Sequence, residues 1–183
     1  MKKKYNIGLL NGIICTKDGK KCASLGIKDG KIINIGKIEK KECVKTIDCN
    51  DKHILPGIID TQVHFREPGL SHKEDIYSGT NAALLGGVTT IFEMPNTSPA
   101  TINKKELNKK LKIAKKSSWV NYSFFIGACK ENISELPKLE KLPGCAGIKI
   151  FMGSSTGTLL VSEEEDLEKA LKACKRRVAL HSE

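Results

Sequence analysis

The sequence predicts an α/β protein: a (β/α)8 barrel of the TIM type, truncated after about the fifth strand and preceded by a small β-sandwich-like domain. Three observations carry that prediction. Residues 1–55 hold short apolar runs broken by tight-turn signals and show no helical period. Across residues 56–183, strand-like apolar runs alternate with amphipathic stretches four times over, and one more strand opens at the end. Polar and ionisable side chains gather at the C-terminal ends of those strands, where barrel enzymes keep their sites.

In the first segment, "YNIGLLNGIIC" sets two apolar runs around Asn11-Gly12, and "LGIKDGKIINIG" does the same around Asp29-Gly30. Each pair is a two-residue hairpin signal. The texture changes at "KHILPGIID". A strand is expected over 57–64 and a helix near 73–86. "GVTTIFEMP" (87–95) reads as the next strand, followed by a lysine-rich helix over 103–117 with Leu107, Leu111 and Ala114 on one face. "WVNYSFFIGA" (119–128) is a strand, a short helix or turn follows near 131–140, and "CAGIKIFMG" (145–153) is a strand again. A helix is expected over 162–177 with Ser162 as N-cap, since acids in its first turn and bases in its last suit the helix dipole. "VALHSE" (178–183) opens one more strand. Serial βαβ units build either a doubly wound sheet or a barrel. No G-x-G-x-x-G follows the first strand, which argues against a dinucleotide-binding sheet. A complete barrel takes roughly 250 residues, and only about 125 follow the first segment, so the sequence is expected to stop midway through its barrel.

Composition narrows the function classes. Of 183 residues, 39% are hydrophobic and 28% charged, which is ordinary for a soluble chain. The net charge of +10 comes almost wholly from lysine, since Arg66, Arg176 and Arg177 are the only arginines. Nucleic-acid sites favour arginine and aromatic residues, so no nucleic-acid partner is expected. The seven cysteines form no C-x-x-C pair and are odd in number, which suits reduced thiols in a cytoplasm. No apolar run approaches the ~20 residues of a membrane span, so no membrane partner is expected.

The chemistry concentrates in "GIIDTQVHFREPG". In an extended strand Ile58, Asp60, Gln62, His64 and Arg66 project to one face, and Ile59, Thr61, Val63 and Phe65 to the other. Gln62 and His64 stand two apart, so both can reach one ion at the strand end. A lone histidine there is more often a hydrogen-bonded structural residue than a ligand. Its company changes the balance, because Lys149 and His181 hold equivalent places on later strands. Lys149 lies between Ile148 and Ile150, where an ammonium is costly unless paired or neutralised. Either a buried acid pairs with it, or CO2 carboxylates it to a carbamate able to bridge two metal ions. His181 would add a nitrogen ligand suited to zinc. Arg66, just past the first strand, offers a planar donor fork for a carboxylate, and Asn96, just past the second, an amide donor. A small anionic substrate follows.

Taken together, "DTQVHFREPG", "MPNTSP", "GIKIFMGSSTG" and "LHSE" resemble the amidohydrolase superfamily, and within it the type I-like dihydroorotases, in the family's order and over the whole chain. The resemblance implies a split β domain followed by the barrel. It implies zinc, one or two ions, held by Gln62 and His64, by a carboxylated Lys149 that bridges, and by His181. It implies Arg66 and Asn96 on the substrate carboxylate. Gln62 stands where the family has the first histidine of a His-x-His pair, and a neutral amide oxygen is the weaker ligand. The activity implied is metal-dependent, reversible cyclisation of N-carbamoyl-L-aspartate to dihydroorotate. The family's proton-transfer aspartate would fall beyond Glu183, so no catalytic residue is expected within this chain and the chain alone is expected to be inactive. Two alternatives stand beside it: a non-catalytic partner of aspartate carbamoyltransferase, to which Gln62 points, and another cyclic amidohydrolase, a hydantoinase or allantoinase. A homo-oligomer or a complex with aspartate carbamoyltransferase is the expected assembly. His53 and His72 lie off the pocket face, and "GSSTG" (153–157) is either a turn or a substrate contact.

Overall fold

The computed structural model describes residues 3–153 and 159–182. Of "GSSTG" only Gly153 is among them; residues 154–157 lie outside. The chain divides into two compact units, Met1–Pro56 and Gly57–Glu183.

The first unit is one mixed five-stranded sheet of β1 (Tyr5–Thr16), β2 (Gly19–Lys28), β3 (Lys31–Gly36), β4 (Cys43–Asp48) and β5 (His53–Ile54). The second sheet of a sandwich-like arrangement is not among the described strands. β1 pairs antiparallel with β2 and parallel with β4 and β5. Tyr5, Ile38 and Cys43 form its small core, with Leu10 packed against them. Asp29-Gly30 makes the expected two-residue turn, with both residues at positive φ (51° and 74°) and Lys28 paired to Lys31. Asn11-Gly12 does not. β1 runs straight through it, and the pair forms a bulge, with the β1–β2 register shifting between Leu9 and Gly12. Asn11 takes φ 55° and its side chain donates to Asp48 Oδ1 at 3.2 Å. A Cβ on Gly12 would lie 2.3 Å from Ile54 Cδ1, so the glycine admits a neighbouring side chain rather than a reversal. The reversal comes later, at Lys17-Asp18, where Thr16 pairs with Gly19.

The second unit carries β6 (Ile58–Val63), α1 (Ile76–Leu85), β7 (Val88–Glu93), α2 (Lys104–Ser117), β8 (Asn121–Gly127), α3 (Leu136–Leu139), β9 (Cys145–Phe151), α4 (Glu164–Ala173) and β10 (Val178–His181). Its five strands are parallel and lie in the order β6-β7-β8-β9-β10. The order follows the chain and never reverses, so the sheet lacks the switch point of a doubly wound fold. The main core joins strand to helix: Phe124, Ile126, Ile148 and Ile150 meet Ile76, Leu107, Ala114 and Ala170. The opposite face holds a smaller cluster of Met94, Phe125 and Ala146, with Phe92 and Ala179 against it. Both faces of β9 are therefore covered, which explains why all seven of its residues are buried. At the two edges, Ile58 and Ile59 on β6 and Leu180 on β10 are about half exposed.

Helix ends follow local chemistry in two cases and tertiary chemistry in a third. Asp75 caps α1 by accepting from the Ser78 amide, and Asn103 caps α2 by accepting from the Glu106 amide. Ser162 is not the cap of α4: Glu163 occupies that place without a side-chain bond. The helix also stops at Ala173 instead of reaching 177. The buried Glu140 carboxylate accepts from the main-chain amides of Lys175 and Arg176, which draws those residues out of the helix.

Candidate metal and carboxylate site

The ends of β6 and β7 are laced together. The Met94 amide donates to Val63 O at 3.0 Å, one step past the paired strands, and this brings Asn96 beside His64. His64 Nδ1 lies 2.8 Å from Asn96 Oδ1. An amide oxygen only accepts, so Nδ1 carries the proton and Nε2 keeps its lone pair. That tautomer is the one a metal-ligating imidazole needs, with its second nitrogen oriented by a carbonyl. Arg66 adopts φ 69° and donates from Nη1 to Asn96 O at 3.3 Å. The Ser98 amide donates to Pro68 O at 3.0 Å. Gly69, at φ 89°, lies so close that a Cβ there would sit 2.0 Å from Ser98 O. Phe65 turns to the other side and packs on α1 at Gly79, where a Cβ would meet its ring at 2.6 Å.

The electrostatics are one-sided. Burial holds the His64 imidazole below its ordinary pKa; the bond to Asn96 opposes this, and the positive charges of Arg66, Lys149 and Lys110 add to it. His64 is thus neutral at neutral pH, its ligating form. The charges that lower it are all positive, which favours an anion beside them.

Lys149 lies in the middle of the wholly buried β9 and is 1% exposed. The sequence left open whether an acid pairs with it. No described acid comes within ion-pair distance; the ammonium lies instead 5.0 Å from the centre of the Phe151 ring. Burial lowers its proton affinity. Such a group is a better nucleophile than an exposed lysine. On the next strand Ala179 pairs with Lys149 and His181 with Phe151, so His181 sits one rung further on the same face. The rings of Phe151 and His181 stand 5.5 Å apart. Gln62 is exposed; its amide donates to Asp60 Oδ1, and its side chain makes no hydrogen bond among the described residues.

Among the described residues no three His, Cys, Asp or Glu side chains converge on one point. The donor chemistry found here is different: two imidazoles and a buried, unpaired amine, a set that fits a zinc-like cation once the amine becomes an anionic carbamate. Sequence reasoning missed a third ionisable feature, the buried pair Glu93 and Lys110, 2.7 Å apart. Its trace was present: Lys110 falls three residues after Leu107 and four before Ala114, on the apolar stripe of α2. Away from these strand ends, His72 is exposed in a turn, and His53 in the first unit lies 3.2 Å from Lys20 Nζ. All seven cysteines are free, and burial pushes the Cys129 and Cys174 thiols up to about 11. No helix among the described residues is long and apolar enough to cross a membrane.

Comparison with known proteins converges on one group. A family profile described as "Dihydro-orotase-like" matches residues 51–154. The chain is 41% identical over 161 residues to a dihydroorotase of Methanosarcina mazei, covering 86% of this chain and 34% of that one. It is 38% identical over 148 residues to an allantoinase of Desulfitobacterium hafniense, covering 80% and 33%. Among solved structures, the L-hydantoinase (dihydropyrimidinase) of Arthrobacter aurescens superposes with a TM-score of 0.87 at 26% identity, over 97% of this chain and 40% of that one. The chain spans about a third of the length of the curated relatives it matches.

Proposed function

The chain belongs to the dihydro-orotase-like family, and from that premise we propose that the protein is a dihydroorotase, closing N-carbamoyl-L-aspartate to dihydroorotate and reversing that step. One observation carries this substrate over those of allantoinase and hydantoinase: the Arg66 guanidinium, anchored on Asn96 O beside His64, where the positive charge of Lys149 also reaches. A carboxylate is what such a fork recognises. The same reading takes the five parallel strands as part of a (β/α)8 barrel, supported by their singly wound order and by the apolar residues left at both edges.

In this reading His64, His181 and a carboxylated Lys149 hold zinc, with Gln62 as a weak further ligand. Zinc, when bound, would polarise the ring carbonyl and acidify water at neutral pH. The chain's own residues do the rest. Asn96 keeps the His64 proton on Nδ1, Arg66 grips the substrate carboxylate and orients the ring, and the neighbouring aromatic side chains keep Lys149 dry.

The test is a substrate panel on the whole protein. Dihydroorotate should be hydrolysed, followed by loss of its ultraviolet absorbance, while allantoin and hydantoin are left intact. Turnover of allantoin with dihydroorotate untouched would overturn the assignment. Metal analysis belongs in the same experiment, because a protein that binds neither zinc nor dihydroorotate would be a non-catalytic partner instead. A second expectation concerns Gln62. Since imidazole is the stronger donor, Gln62→His should raise bound zinc per chain and slow its removal by a mild chelator. Unchanged zinc content and unchanged removal rate would show that Gln62 is not at a metal position.

A further inference from the structure

The Glu93–Lys110 pair is placed where a stability argument does not explain it. Both side chains are essentially inaccessible, at 0% and 1%. Replacing a buried ion pair with apolar residues is often neutral or stabilising, whereas removing one partner alone is strongly destabilising. What the pair touches is more informative. Glu93 ends β7, and Lys110 Nζ, 2.7 Å from Glu93 Oε2, also donates to Met94 O at 3.0 Å. Met94 begins the turn that carries Asn96. Burial raises the proton affinity of the Glu93 carboxyl, and the Lys110 charge opposes it. Among the described residues neither carboxylate oxygen has a hydrogen bond of good geometry, so the Lys110 ammonium acts on it mainly as a charge. The Asn96 carbonyl in turn accepts from Arg66 Nη1 at 3.3 Å, and Arg66 holds a left-handed φ of 69°.

We propose that Glu93 and Lys110 are positioning residues for the substrate carboxylate: the buried Glu93 carboxylate fixes the Lys110 ammonium, and Lys110 holds the Asn96 turn by the Met94 carbonyl. The proposal rests on the reading of Arg66 as the carboxylate grip. Neither residue touches substrate. They fix, from α2, the turn that presents Asn96 and, through the Asn96 carbonyl, the Arg66 guanidinium.

The test uses the whole protein and the double variant Glu93→Leu/Lys110→Met, with the exposed neighbour Lys109→Ala as control. The double variant should keep or raise the wild-type Tm and keep its bound zinc. Its KM for dihydroorotate should rise about tenfold or more, since a misplacement of about 1 Å can cost up to a hundredfold, while kcat falls much less. A wild-type KM in a folded double variant overturns the proposal and leaves the dihydroorotase assignment standing. Should the double variant fail to fold, Glu93→Asp decides. It keeps the charge but withdraws the carboxylate from the Lys110 ammonium by one methylene, so KM should rise with Tm nearly constant; an unchanged KM again overturns the proposal. If the wild type does not act on dihydroorotate at all, the functional assignment fails and the positioning claim is read by nuclear magnetic resonance. The Asn96 main-chain amide resonance should move in Glu93→Asp and stay in Lys109→Ala, and an unmoved resonance overturns it.

Discussion

Lys149→Ala in the whole protein should lower dihydroorotate turnover by about three powers of ten, the equivalent of the several kcal/mol that a bound metal contributes at a polarised carbonyl. The expectation comes from the lysine's surroundings. It is 1% exposed on a strand buried on both faces, no described acid pairs with it, and burial depresses its proton affinity. A chain that keeps an unpaired amine there bears a desolvation cost that a methionine would avoid. Lys149→Met should therefore be as inactive as Lys149→Ala and yet unfold at higher urea than the metal-free wild type. Metal analysis completes the measurement. Zinc should fall in both variants and remain in Lys138→Ala, which alters an exposed lysine. If both Lys149 variants kept their zinc and their turnover, the amine would be an unexplained core residue and the metal assignment would be lost with it.

Arg66→Lys should raise KM for dihydroorotate about ten- to a hundredfold, because hydrogen bonds to a charged group contribute roughly 1.5–3 kcal/mol and a point-charge ammonium cannot reproduce the two-pronged contact. Zinc content should not change, since Arg66 donates to Asn96 O and not to His64. The discriminating measurement is a second substrate or inhibitor, an uncharged cyclic imide of the same ring size. Its affinity should move less than threefold, within about 0.6 kcal/mol. Equal losses for the two ligands would mean that Arg66 supports the loop rather than reads a carboxylate. The positive φ of Arg66 makes that a real alternative, and the imide separates the two roles.

Much of the second unit was legible because its signals are local. Alternating apolar runs and amphipathic stretches follow from side-chain periods of two and 3.6 residues, and the structure places a strand or helix at nearly every expected position. The parity of "GIKIF" alone predicts that Lys149 shares a face with Phe151 and is flanked by the isoleucines of the helix-facing core. Asp29-Gly30 forms its turn because both residues tolerate positive φ and nothing distant competes. The same two-residue signal misled at Asn11-Gly12, where Ile54, Asp48 and the long β1–β2 ladder turned a hairpin pair into a bulge. Helix α4 was overextended for a related reason: Glu140, more than thirty residues upstream, takes the amides that would have continued it.

By itself the sequence determined which residues lie on strands, which face each side chain takes, and which ionisable groups reach the strand ends, since these depend on neighbours along the chain. Only the tertiary structure decided who satisfies each buried polar group. His64 finds the carbonyl of Asn96 thirty-two residues away, and the tautomer of the imidazole follows from that contact. Lys110 finds Glu93, whereas Lys149, also buried, finds no acid among the described residues. A strand's period places a lysine inside without saying what waits there. Burial makes an unpaired charge expensive, and whether a partner arrives is settled by chain segments whose separation in sequence carries no local signal.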